Sequence, residues 1–467
     1  MNAYADLIAR KLSTVPPTGI LGAGSLCLPA GMFDHQDALT RWALRRGRAA
    51  IFADTGLGKS RMEIAWADQV NRETGHDVLI LAPLAVAAQT VREGQSIGVP
   101  VKQCRDGADV EPGISITNYD RLHRFDPERF GAVVLDESSI IKHHDAKTLG
   151  ILLDAFKHAP FKLCASATPA PNDWTELGTH AEFLGICTRT EMLAEYFVHD
   201  GGDTQTWRLK GHARDVFWRW VASWAALLRK PSDLGYDDTR YNLPPLTVSQ
   251  HIAKADHSTA ADAGMLFALE ASTLSERRNA RRASIGDRVQ ACASLVNADR
   301  EPWVVWCDLN AEGDALRSAI PDAVEIRGSD DPEAKEQRLI DFAEGRIRVL
   351  VTKPSIAGFG LNWQHCARMA FVGVTDSFEA YYQAVRRCWR FGQKREVLVH
   401  IFASELEGAV VANLKRKEQD ATAMAEALSA ETNAAVREEV LGVTRNTNPY
   451  EPRRRIIAPS WLQSEAA

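Results

Sequence analysis

The chain has 467 residues, 45% hydrophobic and 25% charged, which is the composition of a globular protein and too much chain for one ordinary core, so two or three domains are expected. Its formal charge of −6 provides no overall basic field, so any grip on nucleic acid must come from a local basic groove. Eight scattered cysteines with no C-x-x-C pair indicate neither a zinc site nor a disulfide framework, and no stretch has the form of a targeting signal or the unbroken apolar length of a membrane helix, so a reducing cytoplasm fits.

From about Phe33 to Ala170, short β-rich runs alternate with helical patterns; the expected strands are Ala49–Ala53, Val78–Ala82, Ile114–Thr117, Ala132–Asp136 and Phe161–Ser166. That alternation implies a parallel sheet covered by helices, and residues 1–173 read as an N-terminal α/β domain. Residues 174–245 break the rhythm and read as a helical insertion, whose Trp218, Trp220 and Trp224 fit a small core better than a base-stacking surface. After Asn242-Leu243-Pro244-Pro245, residues 246–298 read as connecting helices. A second α/β domain spans 299–415, with strands expected at Trp303–Cys307, Val324–Arg327, Val349–Thr352, Met369–Val372 and Val397–Phe402. A helix and an exposed tail fill 416–467.

The chemistry begins at Ala53-Asp54-Thr55-Gly56-Leu57-Gly58-Lys59-Ser60, between an apolar run and an amphipathic one. Glycines let backbone N–H groups approach a nucleotide's phosphates, the following helix points its positive end at them, Lys59 can reach the β/γ oxygens and Ser60 can hold Mg²⁺. Thr55, Gly56, Leu57, Gly58, Lys59 and Ser60 are therefore the expected nucleotide contacts, with Ala53 standing where the usual pattern has glycine. Val133-Val134-Leu135-Asp136-Glu137 has the form of a buried strand ending in two acids, Asp136 to hold Mg²⁺ and Glu137 to orient and deprotonate the attacking water. Ser166-Ala167-Thr168 follows another apolar strand, where its hydroxyls can link the nucleotide site to a moving part. His143-His144-Asp145 cannot easily converge on one ion, so no metal beyond Mg²⁺ is expected.

In this order, these motifs and those of the second half resemble a superfamily 2 helicase, and more narrowly a Swi/Snf-like DNA translocase of compact bacterial or phage type, over roughly Phe33 to Gly408. The resemblance implies two tandem RecA-like parallel-sheet P-loop domains of α/β class with a helical insertion. It implies that Gln36, in Phe33-Asp34-His35-Gln36, selects ATP, and that Leu81–Leu84 and Ile116–Tyr119 touch the nucleic-acid backbone. Thr352 to Asn362, with Gly358 and Gly360, resembles the segment that reaches both DNA and the nucleotide cleft. Gln383, Arg387, Arg390, Gly392 and Gln393 resemble the arginine-finger signature, so Arg387 and Arg390 complete the ATP site when the domains close, while Arg386 lies off the pattern and reads as part of a solvated basic face. The acidic motif continues Ser138-Ser139 where the family usually has a small residue and His or Gln, which bears on how hydrolysis is coupled to movement. The expected activity is ATP-dependent movement along double-stranded DNA by a cytoplasmic monomer in a bacterial host cell, with ATP and Mg²⁺ as cofactors, nucleic acid as partner and no membrane. An RNA helicase and a non-motor ATP-gated clamp are the alternatives.

Overall fold

Apolar runs in this chain become strands buried on both faces, and each face feeds a different core. The computed structural model describes residues 15–83, 86–142, 147–170, 173–200, 203–253, 282–357, 362–373, 377–404, 416, 429 and 433–442. The first half forms β1 (Arg48–Ala53), β2 (Asp77–Ala82), β3 (Lys102–Gln103), β4 (Ile114–Asn118), β5 (Phe130–Asp136) and β6 (Phe161–Ala165). Along β5, Val133 and Leu135 enter one core while Ala132 and Val134 enter the other, as the two-residue period of a strand demands. Helices such as Asp34–Arg46 and Lys59–Thr74 cover these faces.

Residues 174–245, expected to form a helical insertion, combine helices with strands. They hold the helices Leu177–Leu184, Arg189–Tyr196 and Arg214–Ala222, an antiparallel hairpin of β7 (Phe197–Asp200) and β8 (Asp203–Leu209), and β9 (Ala225–Leu228). β9 pairs in parallel with β1, Ala50 opposite Ala225, giving a seven-stranded sheet of order β3-β4-β2-β5-β6-β1-β9. Ala-Ala-Leu-Leu has helix-forming composition, and the neighbouring strand decides its state. Trp218, Trp220 and Trp224 are buried in the core, as expected.

The second sheet contains β10 (Leu246–Ala253), β11 (Trp303–Trp306), β12 (Ala323–Glu325), β13 (Val349–Thr352), β14 (Arg368–Phe371) and β15 (Val397–Ser404), all parallel, in the order β10-β15-β14-β11-β13-β12. Here too one expectation is corrected: residues 246–253 pair along β15 as an edge strand instead of opening a connecting helix, although Ile285–Ala298 is helical. Residues 254–281 lie outside the described residues, as do most of 416–467, but residues 433–441 are helical and return Val436 and Val440 to the first sheet's core. No described helix is long and apolar enough to cross a membrane. The phosphate loop leaves the carboxyl end of β1 and the acid pair that of β5, at strand ends where α/β sheets bind ligands, while the arginines lie in the turn after the helix that follows β14.

Candidate nucleotide site between the two sheets

β1 delivers the chain into the phosphate loop, and the loop's bends fall on Gly56 (φ +93°) and Gly58 (φ +84°), a region that favours glycine. A Cβ on Gly58 would lie 2.1 Å from Gln36 Nε2, and one on Gly56 would lie 2.7 Å from Phe391 Cβ, so both positions are also points of close approach. Ala53 ends a strand, is wholly buried and packs in the core; its φ is not positive, so this first position has no need of glycine. Its carbonyl accepts from Lys59 Nζ at 3.0 Å.

Gln36 braces the loop from below. Its Nε2 donates to Leu57 O at 3.0 Å and its Oε1 accepts from Phe33 N at 3.0 Å. That leaves the amide one N–H and one lone pair, the complement of an adenine N7 and N6–H, and Gln36 lines the cleft.

β5 ends on Asp136, and Glu137 then takes φ 52°, ψ 52°, the one positive φ among described residues other than glycine. Left-handed backbone on a glutamate is strained, and such strain collects at functional sites. Burial first, then Glu137, pushes the Asp136 carboxyl up to about 7, against Lys59 and Arg387, which pull it down. Glu63, missed in the sequence, sits four residues after Lys59 on the same helix face and is buried. Burial first, and then the neighbouring Asp136, hold its carboxyl well above the usual range. Only the four-residue spacing from Lys59 could have revealed it.

The second sheet contributes the helix Phe378–Val385, capped by Ser377, and the turn after it. Arg387 is buried, its Nε donating to Gln383 O and its Nη2 to Gln383 Oε1, each at 2.9 Å. Gln383 Nε2 reaches Thr168 Oγ1 at 3.3 Å, which ties the Ser166-Ala167-Thr168 turn to the opposite sheet. Arg387 and Arg390 line the same cleft of ≈ 350 Å³ as Thr55, Lys59, Ser60, Asp136 and Glu137. Burial pulls Arg390 down to about 9, helped by the neighbouring charges of Arg387 and Arg386. A bound polyanion is what relieves such crowding.

Arg386 departs from its expected place on a solvated face. It is buried, and its Nη2 pairs with Asp54 Oδ2 in the phosphate loop at 2.5 Å. Lys142 pairs with Glu379 across the same boundary. Gly360 and Gly358 lie outside the described residues, as do Leu84 and His143-His144-Asp145, while Asn362 lines the cleft. Leu57, expected to contact the nucleotide, instead packs in the core beneath the loop with its carbonyl held by Gln36, and it is not among the residues that line the cleft. Thr117 and Asn118 are buried, Asn118 caps Arg121 N at 3.0 Å, and Tyr119 Oη donates to Asp136 O at 2.7 Å, so these side chains serve the interior of the first sheet. Ser138 Oγ lies 3.2 Å from His180 Nε2, a histidine supplied from a distant helix beside the acid pair.

The residues present fit a magnesium nucleotide. Ser60 and Asp136 offer the hard oxygen donors that Mg²⁺ takes, and Glu137 Oε2 is buried without a hydrogen-bond partner among the described residues. Among those residues no cluster of three or more His, Cys, Asp or Glu forms a dedicated protein cage for a metal. Residues 293–392 match the family model described as the helicase conserved C-terminal domain, a span that includes β11 to β14 and both cleft arginines. No curated protein matches the chain. The match and the two parallel sheets identify tandem RecA-like α/β domains, and they support a helicase-type nucleic-acid motor of superfamily 1 or 2.

Proposed function

We propose that this protein is an ATP-dependent translocase of the Swi/Snf-like branch of superfamily 2, in a compact bacterial or phage form, that moves along double-stranded DNA. The observation that carries the reading is the single cleft in which Lys59, Ser60, Asp136 and Glu137 of the first sheet face Arg387 and Arg390 of the second. Duplex DNA is favoured by the resemblance of the second-half motifs to DNA translocases.

In this mechanism the loop N–H groups and Lys59 hold the phosphates, and Gln36 reads adenine. Ser60 and Asp136 would hold Mg²⁺, which when bound would supply neutralisation of the phosphate charge. Glu137 takes the proton of the attacking water. Arg387 and Arg390 neutralise charge developing on the γ-phosphate, and because they come from the other sheet, hydrolysis requires the domains to be closed. Repeated closing and opening then advances the two domains along the strand.

The test is the ATPase rate with no polymer, single-stranded DNA, duplex DNA or RNA, comparing the wild type with Glu137→Gln. Duplex DNA is expected to stimulate the wild type most, and the variant is expected to lose at least about a hundredfold in kcat while still binding ATP. Stimulation by RNA alone would replace the reading with an RNA helicase, and no stimulation by any polymer would sink the motor. Displacement of a triplex-forming strand separates walking from clamping.

A further inference from the structure

Arg386 stands outside the Gln-x-x-x-Arg-x-x-Arg pattern, and the proposed hydrolysis gives it no task. Yet it is buried and elaborately held. Its Nη2 meets Asp54 Oδ2 at 2.5 Å, its Nε donates to Tyr382 Oη at 3.1 Å, and its guanidinium lies 5.3 Å and 5.0 Å from the Tyr382 and Trp389 ring centroids. Tyr382 Oη donates in turn to Asp54 Oδ1 at 2.9 Å, an oxygen that also accepts from Thr55 N at 2.6 Å. Both carboxylate oxygens of a phosphate-loop residue are thereby engaged by one helix turn of the opposite domain. The backbone of Asp54 is fixed from the other side, its N–H donating to Leu228 O of β9 at 2.9 Å.

We propose that Asp54, Tyr382 and Arg386 form a latch that sets the register of the arginine turn against the phosphate loop. Asp54 and Arg386 are positioning residues. Arg386 directly precedes Arg387, so tying its guanidinium to the loop fixes the backbone from which Arg387 and Arg390 project into the cleft. Arg386 in particular needs its partner, because a buried guanidinium without a counter-charge is strongly disfavoured. The pair therefore favours a fully closed state: part-opening strands the buried Arg386 guanidinium away from the half-buried Asp54, and full opening returns both to water. The contacts of Gln383 with Thr168 and of Glu379 with Lys142 lie on the same helix and add to the closed state without replacing the latch.

This inference rests on the proposed ATP site, so its test has an arm that does not need hydrolysis. Small-angle scattering of the nucleotide-free full chain is measured for the wild type, Asp54→Asn, Arg386→Gln and the double variant. Both single variants are expected to show a larger radius of gyration, and the double variant no further increase, since breaking one latch twice adds nothing. In the polymer-stimulated ATPase each is expected to lose about tenfold in kcat with KM for ATP changed less than about twofold, because misplaced arginines slow chemistry without weakening the phosphate grip. Tyr382→Phe removes one hydroxyl and keeps the ring, and is expected to shift both readouts the same way by less, which keeps the test open should a charge variant not fold. An unchanged radius in Asp54→Asn and Arg386→Gln, or losses of kcat that multiply in the double variant, would overturn the latch. A wild type that does not hydrolyse ATP would defeat the proposed function and leave the scattering to decide the latch.

Discussion

Gly58 carries two constraints at once, since its backbone is left-handed and its missing Cβ makes room for Gln36 Nε2. Gly58→Ala therefore strains the loop by about 1–3 kcal/mol and pushes Gln36 off Leu57. The expected result is a folded protein whose affinity for a fluorescent ATP analogue falls by about tenfold or more, with the thermal midpoint of the rest of the chain little changed. Unaltered affinity would mean that the loop does not grip the nucleotide in this form. Asp54 shows the opposite economy of means at the neighbouring turn. Burial pushes its carboxyl up, yet Arg386, the Thr55 N–H and Tyr382 together outweigh burial and hold it below the usual carboxylate range. The latch charge is thus present throughout the neutral range.

Among elements, β9 and the helix Leu177–Leu184 explain how a segment without a recognisable motif governs the site. β9 covers the flank of β1, with Ala50 N donating to Trp224 O at 2.8 Å, and so supports the strand that carries the phosphate loop. The helix places His180 against Phe52 of β1 and beside Ser138, directly after the acid pair. Burial pulls His180 down to about 4 from the ordinary value of 6.5. Because the unfolded chain binds the proton more readily, this histidine's contribution to stability is intact above about pH 6.5 and is lost as the pH falls through about 4, a change on the order of 3 kcal/mol. Urea unfolding between pH 7 and 4 is expected to show that loss, and His180→Gln to flatten it. An acid limb of the same steepness in the variant would assign the titration elsewhere.

At the scale of the whole molecule, the two sheets are joined by more than the latch. Gln103 donates to Glu336 at 3.2 Å and Arg105 pairs with Glu333 at 2.8 Å, linking the far ends of the two sheets through exposed groups. Exposed pairs of this kind contribute little and yield to salt, so the buried contacts at the cleft dominate closure. The net charge of −6 confines any nucleic-acid grip to a local basic surface. Duplex binding is accordingly expected to weaken with salt, log K falling linearly with log salt concentration at a slope of about −0.9 for each phosphate contacted. Fluorescence anisotropy of a labelled duplex across a salt series measures that slope, and a slope near zero would remove phosphate contacts from the mechanism.

The local signals were strong where one short stretch carries both pattern and chemistry. Alternation of apolar strands with helical runs determined two parallel sheets, and the residue types at Gly56, Gly58, Lys59, Ser60, Asp136, Glu137, Arg387 and Arg390 sufficed to mark both sides of the cleft that the structure assembles. Residues whose role depends on a distant partner were not legible in this way. Ala-Ala-Leu-Leu is a strand only because β1 offers an open edge, and 246–253 is a strand only because β15 does. Glu63, His180 and Arg386 look ordinary in sequence, since what distinguishes them is burial against Asp136, Ser138 and Asp54. Periodicity and motif spacing are properties of neighbouring residues and survive in the linear chain. Edge pairing, desolvation and the meeting of charges across two domains exist only after the chain has folded, and they decide which arginine of the turn faces the cleft and which one holds it shut.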